Sequence, residues 1–282
     1  MKMVKKILFG LVAVAAVLSL ASCGIKKDDP EGIIKGTAGN YSVNYKYEGD
    51  STDTYRAYKP TGFQHAGALV KVTFDQGYVT TAKAGNSKFG LIFGLKETKS
   101  GDQNIRDFYI VGLGATGQYY VSKFDHIVNI QAPNFGAPEE YDEDGVSSTG
   151  TNGEIETEIK PITAITLEED DDGNKYAYIW YQAWTDGTYH IRIGNITDTN
   201  VSAWKQKDDA SMKNQAPDFE TGYIECIIPQ TTTQITPWTA ANAKAPQGYA
   251  AVYARVQGNT TLNGTVKFQK DFKEAEDIEP ID

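Results

Sequence analysis

The chain has 282 residues, with 27 Lys+Arg against 37 Asp+Glu and a formal net charge of −10 at pH 7. That balance argues against partners such as nucleic acid or anionic headgroups, which call for clustered Lys and Arg. Two cysteines are too few for a multi-bridge scaffold, while the length suffices for one large hydrophobic core.

The first stretch, "MKMVKKILFGLVAVAAVLSLASC", has a basic n-region with Lys2, Lys5 and Lys6, then 14 apolar residues from Ile7 to Leu20. A membrane-spanning helix needs about 20, so this is the length of a secretory h-region. Leu20-Ala21-Ser22-Cys23 resembles the bacterial lipobox. The resemblance implies that residues 1–22 are a signal peptide and that Cys23 is acylated, palmitate being a typical chain. The partner it implies is a lipid bilayer, since stable anchoring takes more than one acyl chain. The expected address is the bacterial cell envelope, the outer membrane or cell surface ahead of the inner membrane. Loss of residues 1–22 removes three lysines and leaves 24 Lys+Arg against 37 Asp+Glu, a net charge of −13. Cys226 then has no intramolecular partner, and Ile224, Ile227 and Ile228 around it favour a buried, inert thiol. Residues 23–36 read as the lipidated cysteine and a polar tether, 37–272 as one domain and 273–282 as an acidic tail.

Beyond the tether, helical periodicity is nearly absent. Short runs rich in Val, Ile, Thr and aromatic residues recur between Gly, Asn and Asp, which predicts an all-β chain. In chain order they are "YSVNYKY", "GALVKVTF", "GYVTTAK", "FGLIFGLKE", "DFYIVGL", "QYYVSKF", "EIETEI", "ITAITLE", "YAYIWYQAW", "TYHIRIGNI", "GYIECIIP", "GYAAVYARV" and "GTVKFQ". Such a succession without intervening helices predicts a sandwich or barrel in a single domain. Residues 134–153, "NFGAPEEYDEDGVSSTGTNG", interrupt it with a long acidic insertion.

Two hairpins follow from turn chemistry. "DFYIVGLGATGQYYVSKF" turns at Gly114–Gly117 and is apolar on both faces. In "YQAWTDGTYHIRIG", a two-residue turn at Asp186-Gly187 pairs Trp184 with Tyr189, Ala183 with His190 and Tyr181 with Arg192. Alternation then puts Tyr178, Trp180, Trp184, Tyr189, Ile191 and Ile193 on the core face. Tyr181, His190 and Arg192 are left facing solvent or a cleft.

"KFGLIFGLKE…DFYIVGLGATGQYYVSKF" resembles the middle strands of laminin-G-like and concanavalin A-like domains. "KYAYIWYQAWTDGTYHIRIGNITDTNV" looks like their later strand pair, with Ile193-Gly194-Asn195 at the place of an I-N-G element. "QGYAAVYARVQGNTTLNGTVKFQ" looks like the closing strands, with Ala250-Ala251-Val252-Tyr253-Ala254 in place of x-G-L-Y-A. The resemblance spans roughly residues 36–272, with gaps over the acidic insertion and residues 199–221. It implies an antiparallel two-sheet jelly-roll sandwich. It also implies carbohydrate or protein binding on the concave face or rim loops, and in some members glycan hydrolysis.

For binding, Tyr181, His190 and Arg192 form a candidate cluster that Trp184 extends, with Trp204 and Trp238 in loops; aromatic faces suit sugars and polar groups fix hydroxyls. Aromatic residues are also good β-formers and core fillers. For catalysis, "GEIETEIK" puts Glu154, Glu156 and Glu158 on one face of a strand. It resembles the G-E-I-D-x-E strand of a concanavalin A-like glycoside hydrolase family. That implies Glu154 as nucleophile, Glu156 in the supporting aspartate's place and Glu158 as acid/base. Retaining hydrolysis needs the two carboxyls about 5–5.5 Å apart. The same strand can be an edge with its glutamates outward.

No cofactor is implied, with Ca2+ the one candidate. Its oxygen ligands could come from Asp142 and Asp144 in the long insertion or from residues 168–174, "EEDDDGN", where ordinary turn chemistry competes. His65, His126 and His190 lack ligand-like spacing. The expectation is a non-enzymatic binding lipoprotein for glycan or a surface protein. The alternatives are a hydrolase using Glu154 and Glu158, or a protein-binding adhesion lipoprotein.

Overall fold

The computed structural model describes residues 32–37, 39–50, 54–64, 67–79, 87–100, 103–128, 164–184, 188–229 and 249–272. Among them lie β1 (Ile34–Thr37), β2 (Asn40–Tyr47), β3 (Thr54–Gln64), β4 (Gly67–Phe74), α1 (Gln76–Val79), β5 (Lys88–Ser100), β6 (Gln103–Leu113) and β7 (Tyr119–Val128). The chain continues with β8 (Glu168–Glu169), β9 (Lys175–Ala183), β10 (Thr188–Gly194), α2 (Asp198–Gln206), α3 (Asp209–Met212), β11 (Ile224–Pro229), β12 (Tyr249–Gln257) and β13 (Thr260–Phe272).

Two antiparallel sheets result. The first runs β1-β2-β13-β4-β9-β10-β11, with β8 paired to β9; the second runs β3-β12-β5-β6-β7. The chain crosses from the second sheet to the first in the tight turn between β12 and β13, where Asn259 takes φ 57° and donates its N–H to Tyr47 O at 2.7 Å. A Cβ on neighbouring Gly258 would stand 1.7 Å from Asp50 O, so only glycine fits there.

Period-two alternation builds the core. Val70 and Val72 of β4, Ile179 and Tyr181 of β9, and Ile191 and Ile193 of β10 point to the second sheet. Phe89, Leu91 and Phe93 of β5, Tyr109 and Val111 of β6, and Val252 and Ala254 of β12 point back. Phe93 sits at the centre: its ring stacks on Tyr181 at 4.5 Å and on Tyr109 at 5.3 Å, and meets Tyr189 edge-on at 5.1 Å. Each such pair adds roughly 0.5–1.5 kcal/mol beyond area burial. The alternate residues Tyr58, Ile92, Phe108, Ile110 and Tyr253 are also at most 1 % exposed, so β3, β5, β6 and β12 are buried on both faces at these positions.

The β9–β10 hairpin departs from the expected register. Tyr189 faces Ala183, Ile191 faces Tyr181 and Arg192 faces Trp180, and Trp184 N–H donates to Thr188 O at 2.8 Å. The connection therefore holds three residues rather than two, and a slip of one residue flips every side chain of the partner strand. Tyr189, Ile191 and Ile193 share a face with Tyr181, not with Trp180. A connection that spends one more residue overrides the simple Asp-Gly signal.

Other elements differ from expectation. Gly77-Tyr78-Val79 is part of α1 rather than a strand, with Asp75 Oδ1 accepting from Gly77 N–H at 2.9 Å. Residues 164–167, before the two-residue β8, belong to no strand, although Ile165 donates its N–H to Gly117 O at 3.1 Å. Ile33 and Ile34, read as tether, are 4 % and 1 % exposed and enter the core through β1. β3 escaped the strand reading because it contains Pro60 and Gly62; it is an edge strand, where proline is tolerated.

Helices α2 and α3 were not expected at all. Thr197 caps α2, its hydroxyl oxygen accepting from Asn200 N–H at 3.2 Å, and Asp208 caps α3 by accepting from Ser211 N–H at 2.8 Å. Val201 and Trp204 of α2 and Met212 of α3 pack on Leu69, Tyr178 and Trp180, which point outward from the first sheet. Trp180 and Trp204 meet edge-on at 6.4 Å. This second small core covers one half of the first sheet's outer face.

Candidate functional site

The expected aromatic cluster does not assemble. Tyr181 is 0 % exposed, lies between the sheets against Phe93, and has its phenol pKa raised by burial. Trp184, His190 and Arg192 lie on the opposite face of the first sheet, so Tyr181 cannot join them. His190 is 7 % exposed and stacks on Trp184 at 3.5 Å. Arg192 fastens the covering segment: its Nε donates to Glu225 Oε1 at 2.8 Å, its Nη1 to Pro217 O at 3.3 Å, and its guanidinium lies 4.9 Å from the Tyr223 ring. Gln182, fully buried beside them, donates to Met212 O at 3.0 Å. Trp204 is buried in the same layer. These residues hold the fold and leave no aromatic ring free for a sugar.

Cys23, Asp142, Asp144, Glu154, Glu156, Glu158, His65 and Trp238 lie outside the described residues. The second acidic stretch, residues 168–174, forms a turn. Asp170 Oδ1 accepts from Asp172 N–H at 3.1 Å and Asn174 N–H at 2.9 Å, and Asp170 Oδ2 accepts from Asn174 Nδ2 at 3.1 Å. These bonds, the Asn174 side chain first, hold the Asp170 carboxyl below its ordinary pKa. The carboxylate is engaged in closing the turn. Among the described residues no group of three or more His, Cys, Asp or Glu is placed to hold a metal. Cys226 is buried at 6 % exposure, and burial pushes its thiol pKa up to about 11.

One broad surface on the described chain is polar and open. On the uncovered half of the first sheet's outer face, cross-strand pairing lines up two rows. One runs Lys35, Ser42, Thr265, Thr73, Tyr176 and Glu168 across β1, β2, β13, β4, β9 and β8. The other runs Thr37, Asn40, Lys267 and Lys71 and ends against Tyr178, which lies under α2. Strands lie about 4.8 Å apart, so the platform from β1 to β9 is about 19 Å wide. Lys35, Thr37, Asn40, Thr265 and Lys267 are exposed, and Ser42, Lys71 and Thr73 half-buried. Asn40, Ser42, Thr265 and Lys267, with Tyr41 and Val266, line a shallow groove of about 260 Å³.

The charges within the two rows are mostly positive, with acids at the β9 end. Lys267 and Lys71 stand directly opposite each other on β13 and β4. Lys71 lays its ammonium 3.4 Å from the Tyr176 ring centre, with Tyr178 at 5.9 Å. Glu168, beyond Tyr176, is the one acid in the two rows. Burial, then Asp198 and Glu168, push the Tyr178 phenol up to about 12, so it is neutral at physiological pH. Hydroxyls, amides and ammonium groups on this sheet face can bind a polar chain. The signal for the lysines was present in "LVKVTF" and "TVKFQ", where each occupies an outward slot between inward apolar residues. Their meeting was not legible, because β4 and β13 lie far apart in the chain. No protein-family model matches this chain, and none of the curated proteins matches it in sequence.

Proposed function

We propose that this protein is a non-enzymatic binding module of a bacterial cell envelope. In this reading it is a lipoprotein held to a membrane through acylated Cys23. Its two-sheet sandwich is of the concanavalin A/laminin-G jelly-roll type, and the polar outer face of the first sheet takes a carbohydrate chain. The observation that supports the face is its composition and openness: two cross-strand rows of Lys, Asn, Ser and Thr that no described segment covers, beside a half sealed by α2 and α3. Polysaccharides expose repeating hydroxyls along an extended chain, and rows of hydroxyl, amide and ammonium groups can bond to them.

The test is a glycan-array measurement on the protein with reducing-end release read in parallel. Binding without release, weakened by Asn40→Ala and Thr265→Ala, supports the module. Release abolished by Glu158→Gln replaces it with the hydrolase reading, and silence on both transfers the face to a protein partner. The anchor has its own check. Labelled palmitate should enter the wild-type chain and not Cys23→Ala, and only the former should partition with membranes; a Cys23→Ala protein that stays membrane-bound refutes the lipid attachment.

A further inference from the structure

We propose that the polar face of the first sheet selects an anionic polysaccharide, its acidic groups held by Lys71 and Lys267 with Lys35 engaging the adjoining part of the chain. This deepens the carbohydrate reading and rests on it.

The argument begins with register. Lys267 on β13 and Lys71 on β4 are Cα partners on the same outward face. Directly opposed side chains start about 5 Å apart at Cβ, and like charges there are destabilising. Within the two rows Glu168 is the one carboxylate, at the far edge beyond Tyr176; Asp170, in the turn after β8, feels the Lys71 charge, so the acids lie at the β9 end and none stands in the rows beside Lys35 or Lys267. On a chain of net charge −10, acids were plentiful and this strip has nearly none. Lys71 is accommodated by the Tyr176 ring at 3.4 Å, which steadies an ammonium without neutralising it. The strip is therefore a local positive field on an acidic molecule, and an approaching anion relieves the lysine pair as it binds.

The chemistry of the partner follows from what surrounds the lysines. Ser42, Thr73, Thr265, Asn40 and Thr37 interleave with them and offer bonds to hydroxyls. Lys71 occupies a face of the Tyr176 ring, so stacking of a neutral sugar on it is blocked and charge has to supply the selectivity. The exposed large hydrophobic residue among those described is Ile227, on β11 away from these rows, so the described face lacks the apolar patch that insertion into a membrane surface needs. Three lysines without a free ring are also a poor match to nucleic acid, which asks for a longer cationic track and stacking.

The experiment measures binding of the full chain to polygalacturonate, to its fully methyl-esterified form, to dextran sulfate and to polyglutamate, at low and at physiological salt. Expected are binding to polygalacturonate, a loss of about tenfold on esterification, and weakening with salt. Lys71→Gln and Lys267→Gln should each weaken binding about two- to fivefold, with the melting temperature unchanged or slightly raised, and Lys205→Gln on α2 should change nothing. A preference for dextran sulfate sustains the inference and assigns the acid as sulfate. Equal binding of the esterified polymer overturns it while leaving the carbohydrate reading in place. Polyglutamate bound as tightly as polygalacturonate overturns it in favour of an acidic polypeptide. Binding of none of the glycans overturns the carbohydrate reading itself.

Discussion

On the β9–β10 side of the first sheet, the outward residues Tyr178, Trp180 and Gln182 lie under α2 and α3; on the β2–β13 side, Asn40, Ser42, Thr265 and Lys267 lie open. Both halves belong to one antiparallel sheet and share one inner core. What separates them is the segment between β10 and β11, which returns over its own strands. There the outward slots are filled with Tyr, Trp and Leu and roofed by Val201, Trp204 and Met212. Elsewhere the same slots carry Lys, Thr, Ser and Asn and remain free to meet a partner. Inward residues of a strand report the fold, and outward residues report what the chain or its surroundings bring to them.

That comparison can be broken most severely at Trp180, which is 1 % exposed and packs edge-on against Trp204. Trp180→Ala should cost about 3–5 kcal/mol in chemical denaturation, through lost burial and an unfilled cavity. The matching change on the open half, Thr265→Ala, should stay within about 0.5 kcal/mol.

A gentler blow to the roof is Gly194→Ala. The added methyl would meet Tyr223 Cβ at 2.7 Å and Tyr223 Cα at 2.9 Å, pushing the covering segment off β10. Overpacking of that kind costs about 1–3 kcal/mol, and the thermal midpoint should fall accordingly. Arg192→Ala removes the contacts to Glu225, Pro217 and Tyr223. Because the ion pair is partly solvent-exposed, its loss should cost only about 1 kcal/mol. Its clearer signature should be faster hydrogen exchange over residues 215–225, with β2 and β13 unaffected.

Alkaline titration reports on the covered half. Tyr178 holds its proton to about 12 in the fold, against an ordinary 10.0. The unfolded chain releases that proton first, so the contribution to stability is complete below pH 10.0 and is lost as pH rises toward 12. Phenolate absorbance in the native protein should show this late step. The smallest effect belongs to the open half: Lys267→Gln relieves an opposed like-charge pair and should raise stability by a few tenths of a kcal/mol.

Much of this architecture was legible in the sequence, and the illegible parts share a cause. "GALVKVTF", "YAYIWYQAW" and "TYHIRIGNI" became β4, β9 and β10 because alternation and β-branched residues leave little choice. The hairpin register was misread because an Asp-Gly signal does not fix whether a loop spends two residues or three, and that one residue moved Tyr181 from an expected ligand site to the middle of the core. Helix α2 was missed because its buried side is only Val201 and Trp204, too short a stripe for helical periodicity to register. Pro60 hid β3. For the site, the sequence revealed which lysines point outward but not which strand lies beside which, so the opposition of Lys71 and Lys267 emerged only with the sheet order.

Lysine footprinting tests the central claim, that the open half of the first sheet is the working surface. The full chain would be acetylated with and without saturating polygalacturonate. Lys35, Lys71 and Lys267 should be protected by the polymer, while Lys205 and Lys213 on the helical side should be modified equally in both samples. Protection confined to Lys205 and Lys213, or uniform over all five, would contradict the account and move the binding surface off this face.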